Sequence, residues 1–179
     1  MPKVINIEPT PNPNALKFVL NGKILASGVR SFRDFASAVG DPLGSGLFAL
    51  GGVASVFYMD RFVTVNKEQD HEWTQLIDPI CECIEEHEVQ EGEAPVAPQP
   101  DLPPSEKLDR IMQVLDQRVR PGLAGDGGGL DVISFDGTTL QISYQGACGT
   151  CPSAGTGTLQ FIEGLLRDEV DPNLRVISY

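Results

Sequence analysis

The run "EEHEVQEGEAPVAPQPDLPP", Glu85 to Pro104, most constrains what this chain can fold into. It holds five prolines and several acids, with no regular apolar period past Val89. Such a segment buries too little apolar surface to offset the entropy of ordering, and its prolines favour an extended, solvated backbone. It reads as a flexible linker over residues 88–104. The 179 residues then divide into an N-terminal domain, 1–87, and a C-terminal domain, 105–179. Each is long enough for a modest core of its own. The expected fold class is α+β: two small mixed domains joined by the linker, with no repeat relating them.

In the first domain, "KVINIE" and "ALKFVL" are strand-like runs on either side of the breaker-rich "PTPNPN". "SFRDFASAV" reads as a helix with Ser31 at its N-cap, and "VASVFYMDRFVTV" as a hairpin turning near Met59 and Asp60. In "DHEWTQLIDPICECIEEH", Trp73, Leu76, Ile77, Ile80, Cys81 and Ile84 recur at helical spacing, with Pro79 inside. In the second domain a helix starting near Ser105 carries Leu108, Ile111, Met112, Leu115 and Val119 on one face, and "RPGLAGDGGG" is expected to end it. "LDVISF" and "TTLQISY" form a hairpin through Asp136-Gly137. A second apolar-striped helix follows, and "NLRVISY" offers a short final strand. The expected C-terminal architecture is a two-layer αββα unit.

Four cysteines carry the chemistry. Cys81 and Cys83 lie two apart on a helix, about 200° around its axis, and cannot share a metal. Cys81 is expected in the core and Cys83 at the surface. Cys148 and Cys151, in "QGACGTCPSA", lie in a loop after a strand. Pro152 is suited to a first helical position, which puts Cys151 at the N-cap of the last helix. Both sulfurs then sit near the positive end of a helix dipole, which favours thiolate, the form that binds metal. Gly146 and Gly149 let backbone amides approach a bulky anionic ligand.

Three chemistries fit such a pair. A thioredoxin-like dithiol places its first cysteine at the helix cap, whereas Pro152 places the helix start after the second. A structural zinc site wants four ligands, and the C-terminal domain offers two cysteines and no histidine. An iron–sulfur cluster usually takes four thiolates, which a symmetric dimer of this loop supplies on its two-fold axis. The rivals to a cluster carrier are therefore a thiol–disulfide oxidoreductase and a zinc-stapled interaction module. The chain lacks "GxSxG", and "GDGGGLD" has neither phosphate-loop nor dinucleotide-loop spacing. No catalytic residue is assigned.

A net charge of −12 argues against nucleic-acid partners and against anionic membranes. No stretch approaches the roughly 20 apolar residues of a membrane span. "MPKVINIEPTPNPN" resembles neither a signal peptide nor a transit peptide, so a cytoplasmic location with reduced thiols is expected.

At "RPGLAGDGGG", the hairpin and "QGACGTCPSA", the C-terminal domain resembles the NifU/Nfu iron–sulfur scaffold and carrier family. At "PTPNPNALKF", "DPLGSGLFALGGVASVF" and "FVTVNK", the N-terminal domain resembles the one that precedes it in many Nfu-type proteins. The resemblance implies a non-enzymatic carrier whose Cys148 and Cys151, one pair from each subunit, bridge a [4Fe–4S] cluster in a homodimer, in preference to [2Fe–2S]. It implies transfer to apo iron–sulfur client proteins, an upstream cluster scaffold as donor, and partner recognition by the N-terminal domain. The family usually has an aspartate after the paired glycines, where Gly129 stands, and a methionine where Gly157 stands between Thr156 and Thr158.

Overall fold

In a computed structural model, residues 1–26, 28–87, 105–149 and 157–179 are described. They fall into two compact units, Met1–Val96 and Ala97–Tyr179. Helices and strands mix in both, giving an α+β fold.

Apolar runs broken by turn residues build the first unit as a five-stranded antiparallel sheet. Its strands are β1 (Val4–Pro9), β2 (Ala15–Leu20), β3 (Val29–Phe32), β4 (Val53–Met59) and β5 (Phe62–Lys67), in the order β1-β2-β5-β4-β3. The β4–β5 hairpin pairs Met59 with Phe62 and turns at Asp60, where φ is +42°. Aspartate is among the few non-glycine residues that tolerate this region. Helices α1 (Phe35–Ala38), α2 (Pro42–Ala49) and α3 (Trp73–Glu86) complete the unit. Leu43 and Leu47 of α2 and Leu76, Ile80 and Ile84 of α3 share a core with Phe18, Val56, Tyr58, Val63 and Val65 of the sheet. Pro79 lies inside α3, as its position in the apolar period predicts.

One local expectation changes in this unit, and one helix appears that no periodicity announced. Ser31 caps no helix: it sits in edge strand β3, opposite Phe57. The cap of α1 is Asp34, whose carboxylate accepts from the Ser37 N–H at 2.7 Å, with the Ser37 hydroxyl returning to the cap backbone. Helix α2 has no clean apolar period, because two glycines interrupt "PLGSGLFA". Its start is fixed instead by Asp41, which is 3% exposed. That carboxylate accepts from Gly44 N at 2.7 Å, Arg30 Nη1 at 2.8 Å and Tyr58 Oη at 2.7 Å. A buried carboxylate is tolerable only when its lone pairs are met in this way. Asp41 followed by Pro42 is the sequence signal for this helix: a cap residue, then proline at the first turn.

The second unit begins with α4 (Glu106–Val114), which passes through a π turn (Leu115–Val119) into α5 (Arg120–Gly125). "RPGLAG" therefore continues the helical run rather than ending it. Pro121 falls in the first turn of α5, directly after the π turn. Leu108, Ile111, Leu115, Val119 and Leu123 of this run pack on a three-stranded sheet, β6 (Gly128–Phe135), β7 (Thr139–Gly146) and β8 (Arg175–Ser178), ordered β6-β7-β8. β6 and β7 form the expected hairpin, and Gly137 takes φ +101° in its turn. The Asp136 carboxylate accepts from the N–H groups of Thr138 and Thr139 and from the Thr138 hydroxyl. β8 pairs parallel to β7, adding a third strand to the αββα unit. Ile162 and Leu166 of α6 (Gly157–Glu169) close the core.

No described helix is long and apolar enough to cross a membrane.

Candidate functional site

The loop that carries Cys148 starts where β7 runs out. Leu140, Ile142 and Tyr144 alternate into the core along β7, and the next inward position is Gly146. Gly146 adopts φ +62°, a conformation that a side chain would strain, and there the chain leaves the strand. Backbone bonds help to hold the turn. Ala147 N–H donates to Gly127 O at 3.2 Å, and Gly149 N–H donates to Gly146 O at 3.1 Å. Ala147 is buried, and Cys148 packs, partly exposed, against the apolar core.

The glycines opposite make this possible. Gly127 adopts φ +75°, and Gly128 enters β6 paired with Gly146. A Cβ added at Gly128 would lie 2.5 Å from the Cys148 sulfur, 2.9 Å from Gln145 O and 3.2 Å from the Cys148 Cβ. The sulfur thus occupies the space that any side chain at 128 would fill. A Cβ at Gly149 would come 3.1 Å from Tyr144 O, so the loop folds back over the end of β7. Within "GDGGG", Gly128 is thus the seat of Cys148. Beside it, Gln145 donates through its side-chain amide to the Asp131 carboxylate. Asp131, the first acid after Gly129, joins β6 to the strand that leads into the loop.

Tyr144 is 8% exposed, and its hydroxyl oxygen has no hydrogen-bond partner among the described residues. Burial pushes the phenol up to about 12, and the nearby Cys148 thiol, once ionised, adds to the shift.

Of the expected site residues, Gly146, Cys148 and Gly149 come together in this loop. Cys151 lies outside the described residues, as does the expected start of the last helix at Pro152. The sequence points to the run Gly125–Asp131 as a flank of the cysteine loop without singling out Gly128, and it gives Tyr144 no role in the site. The glycine run was the signal for the first, and a tyrosine among aliphatic strand residues for the second.

The other thiols differ. Cys81 and Cys83 are both partly buried on α3, so neither is the deep core residue or the surface thiol expected of it. The Cys83 sulfur faces α2, 3.1 Å from where a Cβ at Gly46 would be, and lines a cavity of about 380 Å³ with Leu43, Leu50 and Pro79. Burial pushes both thiols up, helped by Glu85 and Asp78 at Cys81 and by Glu86 at Cys83. Neither is poised as a thiolate. The described residues hold no group of three or more His, Cys, Asp or Glu able to bind a metal ion.

Comparison with known proteins gives the same division. Residues 5–91 match the family described as scaffold protein Nfu/NifU N terminal, and residues 111–177 match the NifU-like domain. NifU-like protein 5, mitochondrial, of Arabidopsis thaliana is 31% identical over 172 residues, covering 90% of this chain and 62% of that protein. The NFU1 iron-sulfur cluster scaffold homolog, mitochondrial, of Homo sapiens is 34% identical over 161 residues, covering 84% and 61%. A solution NMR structure of a NifU-like protein from Saccharomyces cerevisiae is 28% identical with a TM-score of 0.39, covering 45% of this chain and 76% of that one. The chain spans less than two thirds of the length of the two curated relatives.

The expected cytoplasmic location is overturned, because these curated relatives are named as mitochondrial proteins. That expectation rested on the character of the first fourteen residues. The start of a chain that covers only part of its relatives carries no such information. With its first unit matching the Nfu/NifU N-terminal domain and its second the NifU-like domain, the chain belongs to the Nfu/NifU family.

Proposed function

We propose that this protein is an iron–sulfur cluster carrier: two copies hold one cluster between their cysteine loops and pass it to apo-proteins. The observation that carries this reading is the fit of the Cys148 sulfur against Gly128, which fixes a thiol at the rim of the domain. Cys148 and Cys151 of each subunit are the ligands, with Gly146 and Gly149 shaping the loop around the cargo. Two such pairs complete the four thiolates that a cluster usually takes, and [4Fe–4S] is the cluster proposed. The human relative, named as an iron-sulfur cluster scaffold homolog, supports the cargo.

Each unit has its part. Residues 105–179 are the cluster domain, and residues 1–87 recognise the client or the upstream donor. Residues 88–104 link them, so that a client held by one domain meets the other at raised effective concentration. Release is an exchange of ligands without change of oxidation state. A client thiolate forms a bond to iron, the Cys148 or Cys151 sulfur leaves, and that sulfur takes up a proton from solvent. Losing the shared cluster separates the two copies. The protein forms no covalent intermediate and is a carrier rather than an enzyme.

The test is anaerobic reconstitution with ferrous iron and sulfide. Four iron and four sulfide per two chains, lost in Cys148→Ser and in Cys151→Ser, are expected. Zinc uptake without a visible spectrum, or insulin reduction by a Cys148–Cys151 dithiol, would replace the carrier with one of its rivals.

A further inference from the structure

Tyr144 is the last side chain of β7 to enter the core before the cysteine loop, and the next inward position, Gly146, has no side chain to cover it. Its hydroxyl is buried without a hydrogen-bond partner among the described residues. A buried hydroxyl left unmet destabilises a fold, and phenylalanine would fill the same space without that penalty. Tyr144 belongs to the apolar core of this unit, and Cys148 packs, partly buried, against the same core. Hydrogen-bond donors beside a ligating sulfur stabilise its anionic form and tune the metal that it holds.

We propose that the Tyr144 hydroxyl donates a hydrogen bond to the Cys148 sulfur when that sulfur is a cluster ligand, and so slows loss of the cluster. Tyr144 is then a positioning residue acting through Cys148, and the role rests on the reading of Cys148 as a ligand. The hydroxyl that meets no partner among the described residues is satisfied in the loaded protein. Stability is conceded in one state to gain retention in the other.

The experiment compares the full-length parent with Tyr144→Phe after anaerobic reconstitution with ferrous iron and sulfide. Iron per chain, the half-time of bleaching by excess chelator, the iron–sulfur stretching bands and the melting of each apo-protein are measured. The proposal expects equal loading, bleaching about ten-fold faster in the variant, the scale of one charge-assisted hydrogen bond, and shifted stretching bands. It also expects apo Tyr144→Phe to melt at or above the parent temperature. A variant with the parental half-time and bands overturns the role while leaving the carrier reading intact. A variant whose apo form melts lower overturns it too, since the hydroxyl then serves packing. A parent that takes up no cluster overturns both readings together.

Discussion

The sulfur of Cys148 rests where the side chain of residue 128 would be: a Cβ on Gly128 would lie 2.5 Å from it. Two segments far apart in the sequence, the glycine run that opens β6 and the loop that closes β7, thus form one site. The register that pairs Gly128 with Gly146 sets this up, because it brings the two strand ends level.

Gly128→Ala tests that contact without backbone strain, since Gly128 is not among the glycines of positive φ. The added methyl should push Cys148 outward, cost about 1–3 kcal/mol in stability as overpacking does, and reduce the iron retained against a chelator. Urea unfolding and iron analysis check both. A variant that unfolds and holds iron as the parent does would show that the sulfur is free to move.

Asp136 makes the hairpin sensitive to acid. Hydrogen bonds from the Thr139 and Thr138 backbone, then from the Thr138 side chain, hold its carboxyl down at about 2. Its contribution is fully present above the ordinary aspartate value of about 4 and is lost as pH falls through about 2. Asp136→Ala should therefore lower the urea midpoint at pH 7, and the gap from the parent should close as pH approaches about 2. A gap that is constant across this range would mean that the carboxylate charge does not matter.

Much of this was legible in the sequence because the signals were local. Helical spacing gave α3 despite Pro79, and Asp136-Gly137 gave the β6–β7 turn. Ser31 misled because an edge strand took it into a ladder, where pairing with Phe57 outweighs capping. Helix α2 lacked a period because two glycines interrupt it, and its start is fixed instead by Asp41, which Arg30 and Tyr58 meet from two other elements. The cysteine pair was visible from its spacing and setting. The seat for Cys148 was not, because it depends on the register of two strands.

Cys81 and Cys83 should be irrelevant to the cargo. Burial raises both thiols, so at pH 7.5 they should react slowly with iodoacetamide. The double variant Cys81→Ala/Cys83→Ala should load as much iron as the parent, read by iron analysis after reconstitution. Loss of half or more of the iron would bring α3 into the site.

Native mass spectrometry of the anaerobically reconstituted protein tests the central claim most directly. The account predicts a species with the mass of two chains plus one [4Fe–4S] cluster, which falls to single chains as the cluster is chelated. A cluster carried on a single chain, or a dimer whose mass includes no iron or sulfide, would contradict it.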